Sequence, residues 1–332
     1  MSTPIDTFLN TRGFLMLDGG LATELERLGH DLDHPLWSAH VLLTQPDDII
    51  KIHRSYLEAG ADCITAASYQ ASMPGFVAQG LEIAEAQSLI IRSVELACQA
   101  RTAFVQQHQI QDQLSPLVAA SIGPYGAFLA NGSEFCGNYD ISKKDLHSFH
   151  EQRWHLLATT SADLFACETI PSFQEAEVLL QLFREMPERF GWVSFSCRDE
   201  TCISDGTPIA DCAALFSDRP NIVAIGINCT APKYVPALIR ELRASAPEKP
   251  VVVYPNSGET FDAGTRRWVG VSDPIDFGKA SCDWRKVGAR LIGGCCRTGP
   301  LHIKAMKAAL SDRGTTVSKG SDASTGLKKG LG

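Results

Sequence analysis

The sequence predicts a single (β/α)8 barrel of the TIM type, with its active site at the C-terminal ends of the strands. Three observations lead there. Eight short apolar runs are spread evenly along 332 residues. Several of them are almost continuously apolar, as strands buried on both faces of a parallel sheet must be. Helical patterns, with apolar residues recurring every three or four positions, fill the intervals between them. A doubly wound open sheet is the alternative arrangement of the same alternation.

The strands are expected at 14–17, 63–67, 117–121, 164–167, 192–196, 223–228, 251–254 and 290–292. The longest helical pattern covers 83–105. A helix at 142–161 opens on Ser142 as N-cap, with Asp145 in a capping-box-like position. Another at 172–186 opens on Ser172, with Glu175 at the same offset. Patterns at 235–244 and 301–310 complete the set. The barrel is assigned to 1–310. From 311 to 332 the composition turns to Gly, Ser, Thr, Asp and Lys, with Val317, Leu327 and Leu331 the strongly apolar exceptions. So little apolar surface cannot offset the entropy of ordering, and a disordered tail is expected.

Composition sets limits on function. A hydrophobic share of 44% supports one large core, and a net charge of -8 disfavours nucleic-acid or anionic-membrane partners. No apolar run reaches the roughly 18 residues of a spanning helix. The first ten residues lack the basic-then-apolar order of a secretory signal. Eleven cysteines, an odd number, lie mostly in apolar segments and form no spaced disulfide framework. That points to the reducing cytoplasm, with most cysteines acting as small core residues.

Reactive or glycine-rich sequence follows seven of the eight runs. Asp18-Gly19-Gly20 follows the first, Ser68-Tyr69-Gln70 the second and Gly123-Pro124-Tyr125-Gly126 the third. Glu168-Thr169 follows the fourth, Asn228-Cys229-Thr230 the sixth, Pro255-Asn256-Ser257-Gly258-Glu259 the seventh, and Gly293-Gly294-Cys295-Cys296 the eighth. Zinc prefers tetrahedral sulfur and nitrogen ligands, and a catalytic ion keeps one position open. Cys229, Cys295 and Cys296 would supply three thiolates and leave that position. Adjacent residues on a regular strand face opposite ways, so Cys295 and Cys296 can share an ion only if the chain bends. Gly293-Gly294 is expected to give that freedom. The alternative is a chance vicinal pair, with Cys229 in the core.

Asp18 and Glu168 could together bind a substrate ammonium group; the alternative is a turn or capping role for each. Trp37, Tyr69, Tyr125, Phe128, Tyr254 and Trp268 lie in or near the expected loops. An aromatic face attracts a cation, a sulfonium included, although packing is the ordinary use of such residues. His30, His34, His53, His147, His150 and His155 are expected to be surface or internally satisfied helix residues. Ser68 and Ser121 lack the G-x-S-x-G context of a hydrolase nucleophile. Neither a P-loop nor a G-x-G-x-x-G fingerprint is present.

Several of these segments together resemble the homocysteine S-methyltransferase family. The resemblance covers roughly 14–310 and rests on Leu17-Asp18-Gly19-Gly20-Leu21-Ala22-Thr23, Thr65-Ala66-Ala67-Ser68-Tyr69-Gln70-Ala71-Ser72, Ser121-Ile122-Gly123-Pro124-Tyr125-Gly126-Ala127, Glu168-Thr169, Gly226-Ile227-Asn228-Cys229-Thr230 and Gly293-Gly294-Cys295-Cys296-Arg297-Thr298. The last two are the most specific. The SYQAS and SIGPYGA segments are most similar to the branch that uses S-methylmethionine or S-adenosylmethionine.

The resemblance implies zinc-dependent methylation of the thiol of L-homocysteine to give methionine, with only small-molecule partners. It implies Cys229, Cys295 and Cys296 as zinc ligands and Asp18 and Glu168 as holders of the homocysteine amino group. Gly19 would border its carboxylate, Asn228 would shape the site, and Tyr69 would lie near the reacting sulfur. The chain departs from the family at Ala66 or Ala67, one of which stands where asparagine is common, so neither alanine is given a role. Two other functions fit the residues alone: a zinc hydrolase, disfavoured by thiolate-rich coordination and by the lack of a general base, and a zinc-stabilised amino-acid-binding barrel without catalysis. A selenol acceptor is a further variant of the methyl transfer.

Overall fold

The computed structural model describes residues 2–32, 36, 38–110, 114–262, 267–270 and 272–312, and for 260–262, 267–269 and 312 the backbone only. Eight parallel strands form one sheet: β1 (Leu15–Met16), β2 (Cys63–Thr65), β3 (Leu117–Ile122), β4 (Leu164–Ile170), β5 (Gly191–Phe195), β6 (Ile222–Asn228), β7 (Val251–Tyr254) and β8 (Ala289–Ile292). Their order is β1-β8-β7-β6-β5-β4-β3-β2. A parallel bridge between Leu17 and Cys63 joins β1 to β2 and closes the ring. The expected (β/α)8 barrel is therefore the fold, and the open-sheet alternative falls away.

The period-two pattern of each strand sorts its side chains into two layers. Leu15, Leu17, Cys63, Ala119, Ala166, Trp192, Val252 and Leu291 point inward and pack on one another. Met16, Ile64, Val118, Phe165, Val193, Ile225, Val253 and Ile292 point outward, against the surrounding helices. Ile5 and Phe8, from the helix Asp6–Arg12 and its N-cap, pack into the inner layer beside Leu117 and Leu164, which begin their strands. That helix therefore covers the floor of the barrel and leaves the opposite end open.

The expected helices are present as Ile83–His108, Lys143–Ala158, Phe173–Glu185, Val235–Ser245 and Pro300–Asp312. The longest helices that the periodicity does not predict are Pro46–Glu58, Ile209–Phe216 and Pro274–Val287. Ser142 caps its helix as expected, accepting from the Asp145 amide at 3.1 Å and donating to its carboxylate at 2.6 Å. Ser172 also caps, accepting from the Glu175 amide at 3.3 Å. The capping-box reading of Glu175 needs correction, however. Its carboxylate turns into the protein and accepts from the Tyr125 amide and from His150, both at 2.7 Å.

Two strand boundaries differ in a way that matters for the site. β2 ends at Thr65; the Ala66 amide still donates to Ala119 O at 2.8 Å, and the chain turns away after it. β4 runs on through Glu168 to Ile170, with a register shift after Cys167 and Thr169 at a φ of 61°. That left-handed conformation inside a strand is costly for a β-branched side chain and persists only where the surroundings hold it. His34 and Trp37, the side chain of Trp268 and the tail 313–332 lie outside the described residues.

Candidate active site

At the C-terminal mouth of the barrel the strand ends enclose a cleft of about 1800 Å³. The site residues named from the sequence had to be carried there by five different strands, and the fold does this. Asp18 and Gly19 follow β1, Tyr69 follows β2, Glu168 lies near the end of β4, Asn228 ends β6 with Cys229 just after it, and Cys295 and Cys296 follow β8; all line the cleft.

The three cysteines come together. Their sulfurs lie within 4.8 Å of one another, and Cys229 Sγ is 3.5 Å from Cys296 Sγ. Among the described residues this is the one group of three or more such side chains close enough to hold a metal ion. The bend that unites them is not where the sequence placed it. Gly293 and Gly294 keep ordinary φ values, whereas Arg297 has a φ of 64° and Thr298 N–H donates to the Cys295 carbonyl at 3.2 Å. A tight turn over Cys295–Thr298 thus swings two adjacent side chains to one side. The glycines serve packing instead: a Cβ on Gly293 would lie 2.6 Å from Leu17 Cβ. Cys229 itself has a φ of 49°, which turns its sulfur off the line of β6 while its amide still bonds Tyr254 O at 3.2 Å.

The sulfurs also share charge. Hydrogen bonding from Cys229 and then Cys295 holds the Cys296 thiol well below its ordinary range. The same contacts with Cys295 and Cys296, with burial added, push Cys229 up.

The two carboxylates are buried and pair with no cation among the described residues. Asp18 accepts from the Thr65 amide at 2.7 Å and its hydroxyl at 3.1 Å. Burial nevertheless pushes its carboxyl up to about 8, with the charge of Glu168 adding to the effect. Glu168 accepts from Ser121 Oγ and from Tyr254, yet burial pushes it up to about 7. Two buried carboxyl groups that ionise more readily beside a cation are chemically able to hold an ammonium group.

Asn228 is committed to the protein. Its Oδ1 accepts from the Thr169 amide at 2.6 Å and from Ser194 at 2.9 Å, and its Nδ2 donates to Thr169 Oγ1 at 2.7 Å. It ties β4 to β6 beside the sulfurs, and this use accounts for the strained Thr169. Tyr69 is held from behind. Arg153 donates to Tyr69 O at 3.3 Å and to Gly123 O, and its Nη2 lies 3.0 Å from His150 Nδ1. Because Arg153 can only donate, His150 Nδ1 accepts and its Nε2–H donates to Glu175. His150 is therefore an internally satisfied helix residue, as expected. His53 is buried with neither nitrogen bonded among the described residues. The face of the Tyr69 ring rests against Gly123, where a Cβ would lie 2.8 Å from the ring.

Sequence reasoning missed Thr65, Ser121 and Tyr254, which hold the two carboxylates, and Glu134, which lines the same cleft. Ser121 and Tyr254 were legible as strand-end polar residues. Glu134 gave no signal, because it sits on a short turn, Ser133–Phe135, with no periodicity around it.

Fold and mouth together define a barrel enzyme with a sulfur triad able to hold a metal ion, facing a pair of buried carboxyl groups. A family model described as homocysteine S-methyltransferase matches residues 15–310. The chain is 47% identical to the homocysteine S-methyltransferase YbgG of Bacillus subtilis, covering 92% of this chain and 97% of that protein. It is 44% identical to the selenocysteine Se-methyltransferase of Brassica oleracea, covering 95% of this chain and 94% of that one. The crystal structure of the Escherichia coli homocysteine methyltransferase MmuM in its metallated form superposes with a TM-score of 0.83 at 43% identity, covering 92% of this chain and 99% of that chain. The chain belongs to the homocysteine S-methyltransferase family. No described helix is long and apolar enough to cross a membrane.

Proposed function

We propose that this chain transfers a methyl group from S-methylmethionine or S-adenosylmethionine to the thiol of L-homocysteine, giving methionine, with Zn2+ held by Cys229, Cys295 and Cys296. The observation that carries the proposal is the convergence of three sulfurs within 4.8 Å in the cleft that also exposes Asp18 and Glu168. Zinc–thiolate bonds of about 2.3 Å in tetrahedral geometry require sulfurs about 3.8 Å apart. The observed spacing suits that with small side-chain adjustments.

When bound, zinc supplies the Lewis acidity that turns an incoming thiol into its thiolate near neutral pH. The cysteines bring three negative charges, more than the ion neutralises, and so keep the acceptor sulfur nucleophilic. Asp18 and Glu168 hold the ammonium group of homocysteine, and Thr65, Ser121 and Tyr254 keep those carboxylates in place. Gly19 borders the substrate carboxylate: a Cβ there would lie 2.7 Å from Thr298 O, so the backbone fits closely against the β8 turn. Asn228 keeps the Cys229 end of β6 fixed to β4. Tyr69 presents its ring to the methyl donor. The acceptor sulfur attacks the methyl carbon in line, and the carbon–sulfur bond of the donor breaks. Its electron pair stays on the donor sulfur, which leaves as a neutral thioether. No general base is required, and alignment of the two substrates supplies most of the acceleration.

The relative that methylates selenocysteine supports a second acceptor class, since soft thiolate sites accept a selenolate as readily as a thiolate. We assign 1–310 to the homocysteine-binding barrel and 311–332 to an appended tail, with the last helix reaching Asp312. Free thiols throughout agree with a cytoplasmic location. The test is methionine formation from homocysteine and S-methylmethionine, abolished by a chelator and restored by zinc. A protein that binds homocysteine but forms no methionine would support the non-catalytic alternative instead.

A further inference from the structure

A two-substrate cleft must recognise both partners, and Asp18 and Glu168 account for one ammonium group. Three more acceptor atoms of cleft-lining residues are shut off from solvent and accept no hydrogen bond among the described residues: Glu134 Oε2, Gln70 Oε1 and Asn256 Oδ1. Leaving such an atom without a donor costs about 1–3 kcal/mol, and more when it is charged. Only Glu134 among the three carries charge. Burial lifts its carboxyl above the usual range. It lines the same cleft as Tyr69 and Cys296, and its charge is felt at both.

Glu134 is also firmly presented. Ser196 Oγ donates to its carbonyl at 3.0 Å, and Gly126 lies so close that a Cβ there would collide with the Glu134 amide. The carboxylate stands apart from the sulfur triad and pairs with no described cation.

The chemistry of the donor says which group it would meet. A sulfonium loses its charge as the methyl leaves, so a carboxylate against it would stabilise the ground state more than the transition state and slow the reaction. A sulfonium also has no N–H to offer an orphaned acceptor. An α-ammonium group has three, and keeps its charge throughout. We propose that Glu134 recognises the methyl donor by accepting hydrogen bonds from its α-ammonium group, which selects sulfonium amino acids over sulfonium compounds without an amine. The inference rests on the methyl-transfer reading above and deepens it.

The test compares S-methylmethionine with dimethylsulfoniopropionate, which has the dimethylsulfonium and carboxylate but no amine. Wild-type turnover of S-methylmethionine with homocysteine first establishes the underlying activity; its absence would defeat the broader reading separately. Glu134→Gln should then raise the KM for S-methylmethionine about ten-fold or more, the loss of one charge-assisted hydrogen bond. It should leave kcat, bound metal and the homocysteine KM within about two-fold. The inhibition constant of dimethylsulfoniopropionate against S-methylmethionine should be unchanged by Glu134→Gln, or the compound should fail to inhibit either protein. Glu134→Asp should recover part of the donor affinity. An unchanged KM for S-methylmethionine overturns the proposal, and so does an equal loss for both sulfonium compounds.

Discussion

Asp62 and Asp18 stand at opposite ends of neighbouring strands and are treated in opposite ways. Asp62, at the floor, ion-pairs with Arg12 at 2.5 Å and Lys307 at 2.9 Å and accepts from the Met16 amide at 3.0 Å. Asp18, at the mouth, is as deeply buried, and its side-chain hydrogen bonds among the described residues come from the neutral amide and hydroxyl of Thr65. One carboxylate closes the N-terminal end of the barrel with its cations supplied by the chain. The other meets no cation among the described residues. The difference separates a stabilising residue from a candidate binding residue more clearly than burial does, since both are buried. It matches the division in such barrels between a stability face and a functional face.

The comparison can be broken most severely at the sulfurs, which belong wholly to the mouth. Cys296→Ala should remove bound metal and lower activity by about three orders of magnitude or more, as loss of a nucleophile-activating group does. Metal analysis and kinetics on the same preparation check it, and a metal-free variant with full activity refutes the scheme. Next come the two aspartates. Asp18→Asn should raise the homocysteine KM about 30–100-fold, the worth of a buried charge-assisted contact. Asp62→Asn should leave that KM alone and cost about 2–3 kcal/mol of stability, because it strands two partly buried cations. Kinetics and denaturant unfolding of the two variants would show whether the roles separate.

The smallest effect is in pH. The folded protein holds Asp18 and Glu168 protonated up to about 8 and about 7, far above the ordinary carboxyl range. Raised acid values mean that these groups favour folding less and less as pH climbs from about 4 to about 8. Asp18→Asn should therefore raise Tm by a few degrees at pH 8 while it harms binding. The same protons must leave before an ammonium is held. Methionine, which has no thiol proton of its own, should bind about ten-fold more tightly at pH 8 than at pH 6. In Asp18→Asn only the lower of the two steps should survive. Calorimetry across that range checks both statements.

Much of this was legible before any coordinates. Strand-end placement put Asp18, Glu168, Cys229 and the 295–296 pair at one mouth, because a parallel barrel gathers the C-terminal ends of all its strands. What could not be read depended on backbone conformation or on distant partners. The bend at Cys295–Thr298 needs a left-handed Arg297, and no sequence rule singles out an arginine for that state. Glu175 sits where a capping box would use it, yet buried His150 draws its side chain inward. The helices Pro46–Glu58, Ile209–Phe216 and Pro274–Val287 passed unread although each has a proline at or next to its first position. Glu134 stayed hidden because its importance lies in a missing donor, which is a property of the folded cleft.

The central claim is that three cysteines hold one zinc ion and leave a place on it for the acceptor sulfur. Zinc X-ray absorption on the protein, with and without homocysteine, tests this most directly. The account predicts three sulfur neighbours and one lighter atom in the free protein, and four sulfurs once homocysteine is added. A zinc environment that is unchanged by homocysteine, or that holds fewer than three sulfurs at the start, would contradict it.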